Sequence, residues 1–260
     1  MSGPRPGPAW LAAVVAIGGL AGAACSPSMS SSSPAPATMT SVSSSVPSAD
    51  PPAGAPADDA GRALLDAAGR GDTAAARRLL ADGAPVDPVD AAGRTPLVVA
   101  SYAADLELAG VLVEAGADVN HQDRTKQSAY LIATSEIGPD DGLALLGLTL
   151  ANGADVAAKD SFNGTGLIRA AHRGYADIVD ELLRAGIEVD HVNGLGWTAL
   201  LEAIILGDGG ADHTRVVQLL LDAGADPGLA DNDGVTPLAH ARARSFDAIA
   251  GALTAAGATA

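Results

Sequence analysis

An all-α repeat solenoid is the fold class that this 260-residue sequence predicts, and three observations lead there. One phrase recurs, as "VLVEAGADV" from Val111, "LTLANGADV" from Leu148, "ELLRAGIEV" from Glu181 and "LLLDAGADP" from Leu219. The glycine of that phrase falls at Gly83, Gly116, Gly153, Gly186, Gly224 and Gly257, with spacings of 33, 37, 33, 38 and 33 residues. A sustained period of that size marks a repeat architecture. Aromatic residues make up 3 % of a chain that is 48 % hydrophobic. Leu, Val, Ile and Ala must then pack closely between thin elements, which favours helices over a β-sandwich.

The first element is an export signal over 1–24. Arg5 precedes an apolar run, "WLAAVVAIGGLAGAA", that leads through small residues to Cys25. The run is short and glycine-broken for a stable transmembrane span. The segment resembles a bacterial lipoprotein signal, which implies lipidation of Cys25; "GAAC" departs from that pattern by placing Gly22 where an aliphatic residue usually stands. As the single cysteine, Cys25 excludes an intramolecular disulfide and any multi-cysteine metal site.

Residues 25–57 read as a disordered tether. "SPSMSSSSPAPATMTSVSSSVPSADPPAGAPA" is rich in Ser, Pro and Ala and almost uncharged, so it buries too little apolar surface to offset its ordering entropy.

The repeat domain follows over 58–260, in units 58–90, 91–123, 124–160, 161–193, 194–231 and 232–260. Upstream of the marker glycines, Ile178 and Val179 pair with Leu182 and Leu183, and Val216 and Val217 with Leu220 and Leu221. Residues four apart share a helix face, so the second half of each unit is a helix with one apolar stripe, which the glycine ends. The first half carries "GRTPLVVAS" from Gly93, "NGTGLIRAA" from Asn163, "GWTALLEAI" from Gly196 and "GVTPLAHAR" from Gly234. There a glycine or asparagine turns the chain, a threonine caps a short helix, and Pro96 and Pro237 sit in its first turn, where a missing N–H does no harm.

On these two half-motifs the chain resembles the ankyrin repeat family, whose unit is a β-turn followed by two antiparallel helices. The resemblance covers about 58–260 in six ankyrin repeats. Departures are expected in the third unit, where Lys126 replaces the turn glycine and Ser128 the capping threonine, predicting a distorted turn. The first and last units read as caps. Insertions fall between the two helices of units three and five, around "SEIGPDDG" from Ser135 and "LGDGGADH" from Leu206.

A net charge of −16 leaves nothing to release counterions from a polyphosphate, so nucleic acid is excluded as a partner. No phosphate loop, nucleophile elbow or metalloprotease helix is present, so neither an enzyme nor a cofactor is expected. His121 and His191 recur two units apart, too far to share a metal, and are assigned to surface or turn bonding.

Partner contacts are what the resemblance implies, from turn tips and first-helix ends. Counting from the capping residues assigns Arg94, Tyr102, Gln127, Glu136, Phe162, His172, Arg173, Leu195, Trp197, Ile205 and Leu206 to that concave face. Tyr102, Phe162 and Trp197 are expected to be exposed there, with Trp197 packed over Leu195 as the alternative, and Tyr130 is expected in the core. The function expected is a non-enzymatic interaction scaffold, a monomer held at a bacterial cell envelope and touching the membrane only through its N-terminus. A secreted effector binding host proteins is the alternative, and an enzyme or small-ligand binder the weakest reading.

Overall fold

The computed structural model describes residues 55–259. The expected export signal, Cys25 and the expected tether up to residue 54 lie outside the described residues. The helical domain starts three residues earlier than expected, because α1 spans Ala55–Arg70.

Among the described residues twelve helices follow one another in six antiparallel pairs. After α1 come α2 (Thr73–Ala81), α3 (Pro96–Tyr102), α4 (Leu106–Glu114), α5 (Ala129–Ser135) and α6 (Pro139–Ala151). The second half adds α7 (Gly166–Arg173), α8 (Ala176–Arg184), α9 (Ala199–Ile205), α10 (Ala211–Asp222), α11 (Pro237–Ala243) and α12 (Asp247–Ala255). Odd-numbered helices pack on the next odd-numbered helix and even on even, giving an inner and an outer layer. One continuous apolar cluster runs between the layers, from Leu64 and Ala67 to Ile249 and Leu253. Tyr130 lies inside it, fully buried as expected, its hydroxyl donating to the Val156 carbonyl. No single pair could bury both faces of its apolar stripe, so stacking supplies the core.

The local chemistry is that of the half-motifs. The hydroxyls of Thr95, Ser128, Thr165, Thr198 and Thr236 each accept from the backbone N–H three residues on, capping the inner helices. The marker glycines end the outer helices in the left-handed region, as at Gly224, where the N–H donates to Leu221 and the next N–H to Leu220.

Between pairs stand five tight hairpins, 90–94, 123–127, 160–164, 193–197 and 231–235. In each, the first residue's backbone N–H donates to the carbonyl of the fifth. Its side-chain oxygen also accepts from the fifth residue's N–H, which closes the turn. The hairpin of the third unit is no exception in shape. Lys126 adopts φ 65°, beside Gly93 at 79° and Asn163 at 60°, so the expected distortion is absent and the lysine carries the left-handed strain instead.

The insertions do not form loops of their own. α6 has 13 residues and α10 has 12, against nine in α2, α4, α8 and α12, so most of the extra chain becomes an added turn at the start of an outer helix. Gly142 lets that turn of α6 close on α5, since a Cβ there would lie 2.5 Å from the Ala133 carbonyl oxygen. Asp208 in the second insertion accepts from Gly210 N–H and meets His213 Nδ1 at 2.9 Å, and His213 Nε2 lies 3.0 Å from the His172 carbonyl. The insertion is thereby bracketed to the preceding unit. Among the described residues no helix is long and apolar enough to cross a membrane.

Candidate interaction surface

Hairpins and inner helices bring the expected residues into three files. Phe162 and Leu195 occupy the same tip position of consecutive hairpins. Arg94, Gln127 and Trp197 share the last hairpin position, and Tyr102, His172 and Ile205 the last turn of α3, α7 and α9, followed by Glu136, Arg173 and Leu206.

Phe162 is 60 % exposed and Tyr102 39 % exposed, as expected; Trp197 is 7 % exposed and is a correction. The reason is the hairpin's closure. Trp197 N–H donates to Asn193 Oδ1, and its carbonyl accepts from Asn193 N–H. That fixes it at the base of the turn where the chain enters α9, two residues past the tip. Next to Phe162 stands Val192, also exposed. The two hairpins join edge to edge, Gly194 N–H donating to the Phe162 carbonyl at 2.8 Å and Asn163 Nδ2 to the Val192 carbonyl.

Several assigned residues are engaged within the chain. Arg94 pairs with Asp90 of its own hairpin. Gln127 and Glu136 both accept from the guanidinium of Arg169, a residue that the sequence reading missed. Arg169 also donates to Asp160 Oδ2 at 2.9 Å and to the Thr134 hydroxyl, with 11 % of its side chain exposed. A buried guanidinium needs every donor matched, and the residues around it supply four acceptors. Arg244 donates to the carbonyls of Ile205 and Gly207, so the end of α9 is covered by a cation. His121 and His191 each place Nε2 2.8 Å from the carbonyl of the preceding hairpin, at Gly93 and Asn163 respectively, which is the turn-bonding role expected.

One carboxylate stands apart. Glu202 on α9 is 5 % exposed; its Oε1 accepts from Asn193 Nδ2, and its buried Oε2 meets no hydrogen-bond donor. Burial pushes its carboxyl up to about 7, with the Asp160 charge adding to the rise and the Asn193 bond opposing it. His172 Nδ1 approaches that oxygen only to 3.9 Å. Burial, and then the charges of Arg173, His213 and Arg169, hold the imidazole of His172 below its ordinary value, so it is neutral at neutral pH. Among the described residues no group of three His, Cys, Asp or Glu is placed to hold a metal ion.

Residues 49–123, 132–231 and 167–258 match the family model described as ankyrin repeats in three copies. The chain belongs to the ankyrin repeat family. A relative, the ankyrin repeat protein YahD of Escherichia coli (strain K12), is 42 % identical over 195 residues, covering 75 % of this chain and 95 % of the relative. An ankyrin repeat domain from Acinetobacter baumannii AYE is similar in structure with a TM-score of 0.71 at 45 % identity, over 75 % of this chain and 98 % of that one. The ankyrin repeat protein EF0377 gives a TM-score of 0.70 at 34 % identity, over 75 % and 97 % of the two chains. Ankyrin repeat domains are in general protein-interaction scaffolds, whose stacked units offer an extended concave surface, and the fold is typically non-enzymatic.

Proposed function

We propose that this ankyrin solenoid is a non-enzymatic scaffold that holds a protein partner at a bacterial cell envelope, exported by residues 1–24 and tethered through lipidated Cys25. The observation that carries the binding reading is the exposure of Phe162 and Tyr102 in a chain with few aromatics. An aromatic ring left in water costs hydrophobic free energy that a partner's surface would recover, and such rings dominate interface cores. The envelope reading rests on the apolar run before Cys25 and the Ser/Pro/Ala-rich stretch after it.

Capture from the producing cell's envelope with the full chain, beside a Phe162→Ala, Tyr102→Ala variant, tests both parts. A protein retained by the parent and lost by the variant supports the surface. Equal capture by both removes it. Cys25→Ser should move the protein from the membrane fraction to the soluble fraction; an unchanged distribution would rule out lipid anchoring.

A further inference from the structure

Inside the solenoid, one position is used three ways. The fifth residue counting from the capping Thr is Arg169 in α7, Glu202 in α9 and His240 in α11, and each reaches back to the first residue of its own hairpin. At Arg169 the guanidinium sits between Asp160 and Glu136, with Gln127 completing the cradle. One unit later the polarity is reversed: the helix supplies the carboxylate and the hairpin supplies an amide. Glu202 therefore has one oxygen matched by Asn193 and one matched by nothing, although both are withdrawn from solvent.

A buried carboxylate oxygen without a donor is left with its full desolvation penalty, and such a group calls for something else to meet it. His172 does not meet it. The 3.9 Å approach is too long for a hydrogen bond, and the imidazole is about one third exposed at the end of α7, with its neutral form favoured. The ring stands beside Oε2 without binding it. Charge complementarity adds direction, because a chain of net charge −16 attracts basic partners.

We propose that Glu202 is the anchor for an arginine side chain of a basic partner segment lying along the inner-helix face, the guanidinium taking the place of His172 over Oε2. This rests on the reading of that face as partner-binding and names the chemistry of the partner. The geometry would repeat, between chains, what Arg169 does within this one. Phe162, at the tip of the preceding hairpin, is exposed and offers an apolar surface for the rest of the segment.

The test selects random phage-displayed peptides on the immobilised full chain, then measures the enriched peptides by titration against the parent, Glu202→Gln and Phe162→Ala. The expected result is a shared arginine whose replacement by citrulline weakens binding at least roughly tenfold. Glu202→Gln should do the same, the two losses not adding. Glu202→Gln keeps the Asn193 bond and removes a buried charge, so an unchanged or higher melting temperature separates lost binding from lost fold. Peptides that depend on Phe162 but tolerate Glu202→Gln would overturn the anchor and leave the surface standing. Peptides indifferent to both changes would overturn the anchor and the surface reading together.

Discussion

Asn193 donates from Nδ2 to Glu202 Oε1 at 2.8 Å, across the nine residues that carry the fifth unit from its hairpin into α9. Asp160 and Arg169, at 2.9 Å, and Asp231 and His240, at 2.7 Å, stand in the same relation one unit on either side. Where the helix brings a basic group, the hairpin brings a carboxylate. Where the helix brings a carboxylate, the hairpin brings an amide. Asn193 Oδ1 still accepts from the N–H groups of Leu195 and Trp197, so the amide closes the turn while avoiding a second buried negative charge.

That pairing has a pH signature. The carboxyl of Glu202 titrates near 7 when folded and at 4.5 otherwise. The folded chain thus keeps a proton over an interval in which the unfolded chain has lost it. Its effect is nil below the unfolded value, grows as pH rises between the two, and is fully destabilising above the folded one. By linkage the cost at about pH 8 is on the order of 3 kcal/mol. Glu202→Gln should resist urea better than the parent by roughly 1–3 kcal/mol at about pH 8 and by little at about pH 4.5. An equal gain at both pH values would mean that the charged form carries no burial penalty.

Much of this arrangement was legible because repeats encode their own register. The marker glycine, the capping hydroxyl and the apolar pairs each recur, and a reading that aligns them locates every helix pair. Trp197 was misplaced because the count from Thr198 places it beside the tip, whereas hydrogen bonds from Asn193 set it at the hairpin base. Arg169 was missed for a different reason. Its partners come from two units and up to 42 residues away, a set that only stacking assembles. The added turn of α6 was foreseeable, since Pro139, Asp140 and Asp141 are helix-start residues in the stretch read as an insertion between helices.

Lys126 tests the cost of the left-handed turn. Its counterparts are glycine at 93, 196 and 234 and asparagine at 163, all with positive φ. Asparagine tolerates that region without glycine's extra freedom in the unfolded chain. Lys126→Asn is expected to stabilise the domain by roughly 0.5–1 kcal/mol, read as a higher urea midpoint. A lower midpoint would mean that the aliphatic stem of the lysine contributes packing that outweighs the backbone strain.

A second periodic bond predicts its own repair. The side chains of Asp87, Asn120 and Asp190, four residues after their marker glycines, accept from the N–H groups of Asp118, Asp155 and Asp226 in the next unit. Between units three and four the position holds Ala157, which has no acceptor to offer Glu188. Ala157→Asn should add the missing bond and gain about 1 kcal/mol. Hydrogen exchange at the Glu188 amide gives the direct reading: slowed exchange supports a new bond, and an unchanged rate with unchanged stability counts against it.

Phe162 and Trp197 separate binding from folding. Phe162 is 60 % exposed, so removing its ring uncovers little of the fold, and Phe162→Ala should change stability by no more than about 0.5 kcal/mol. Trp197 is 7 % exposed at the junction of its hairpin with α9, and Trp197→Ala leaves a cavity there, expected to cost about 3–5 kcal/mol. Thermal unfolding of the two single variants distinguishes them. A partner lost with Phe162→Ala at unchanged melting temperature identifies the surface that holds it, whereas a partner lost with Trp197→Ala reports damage to the scaffold. If Phe162→Ala instead lowers stability by several kcal/mol, the ring serves the fold, and the partner-binding surface must be sought elsewhere along the inner helices.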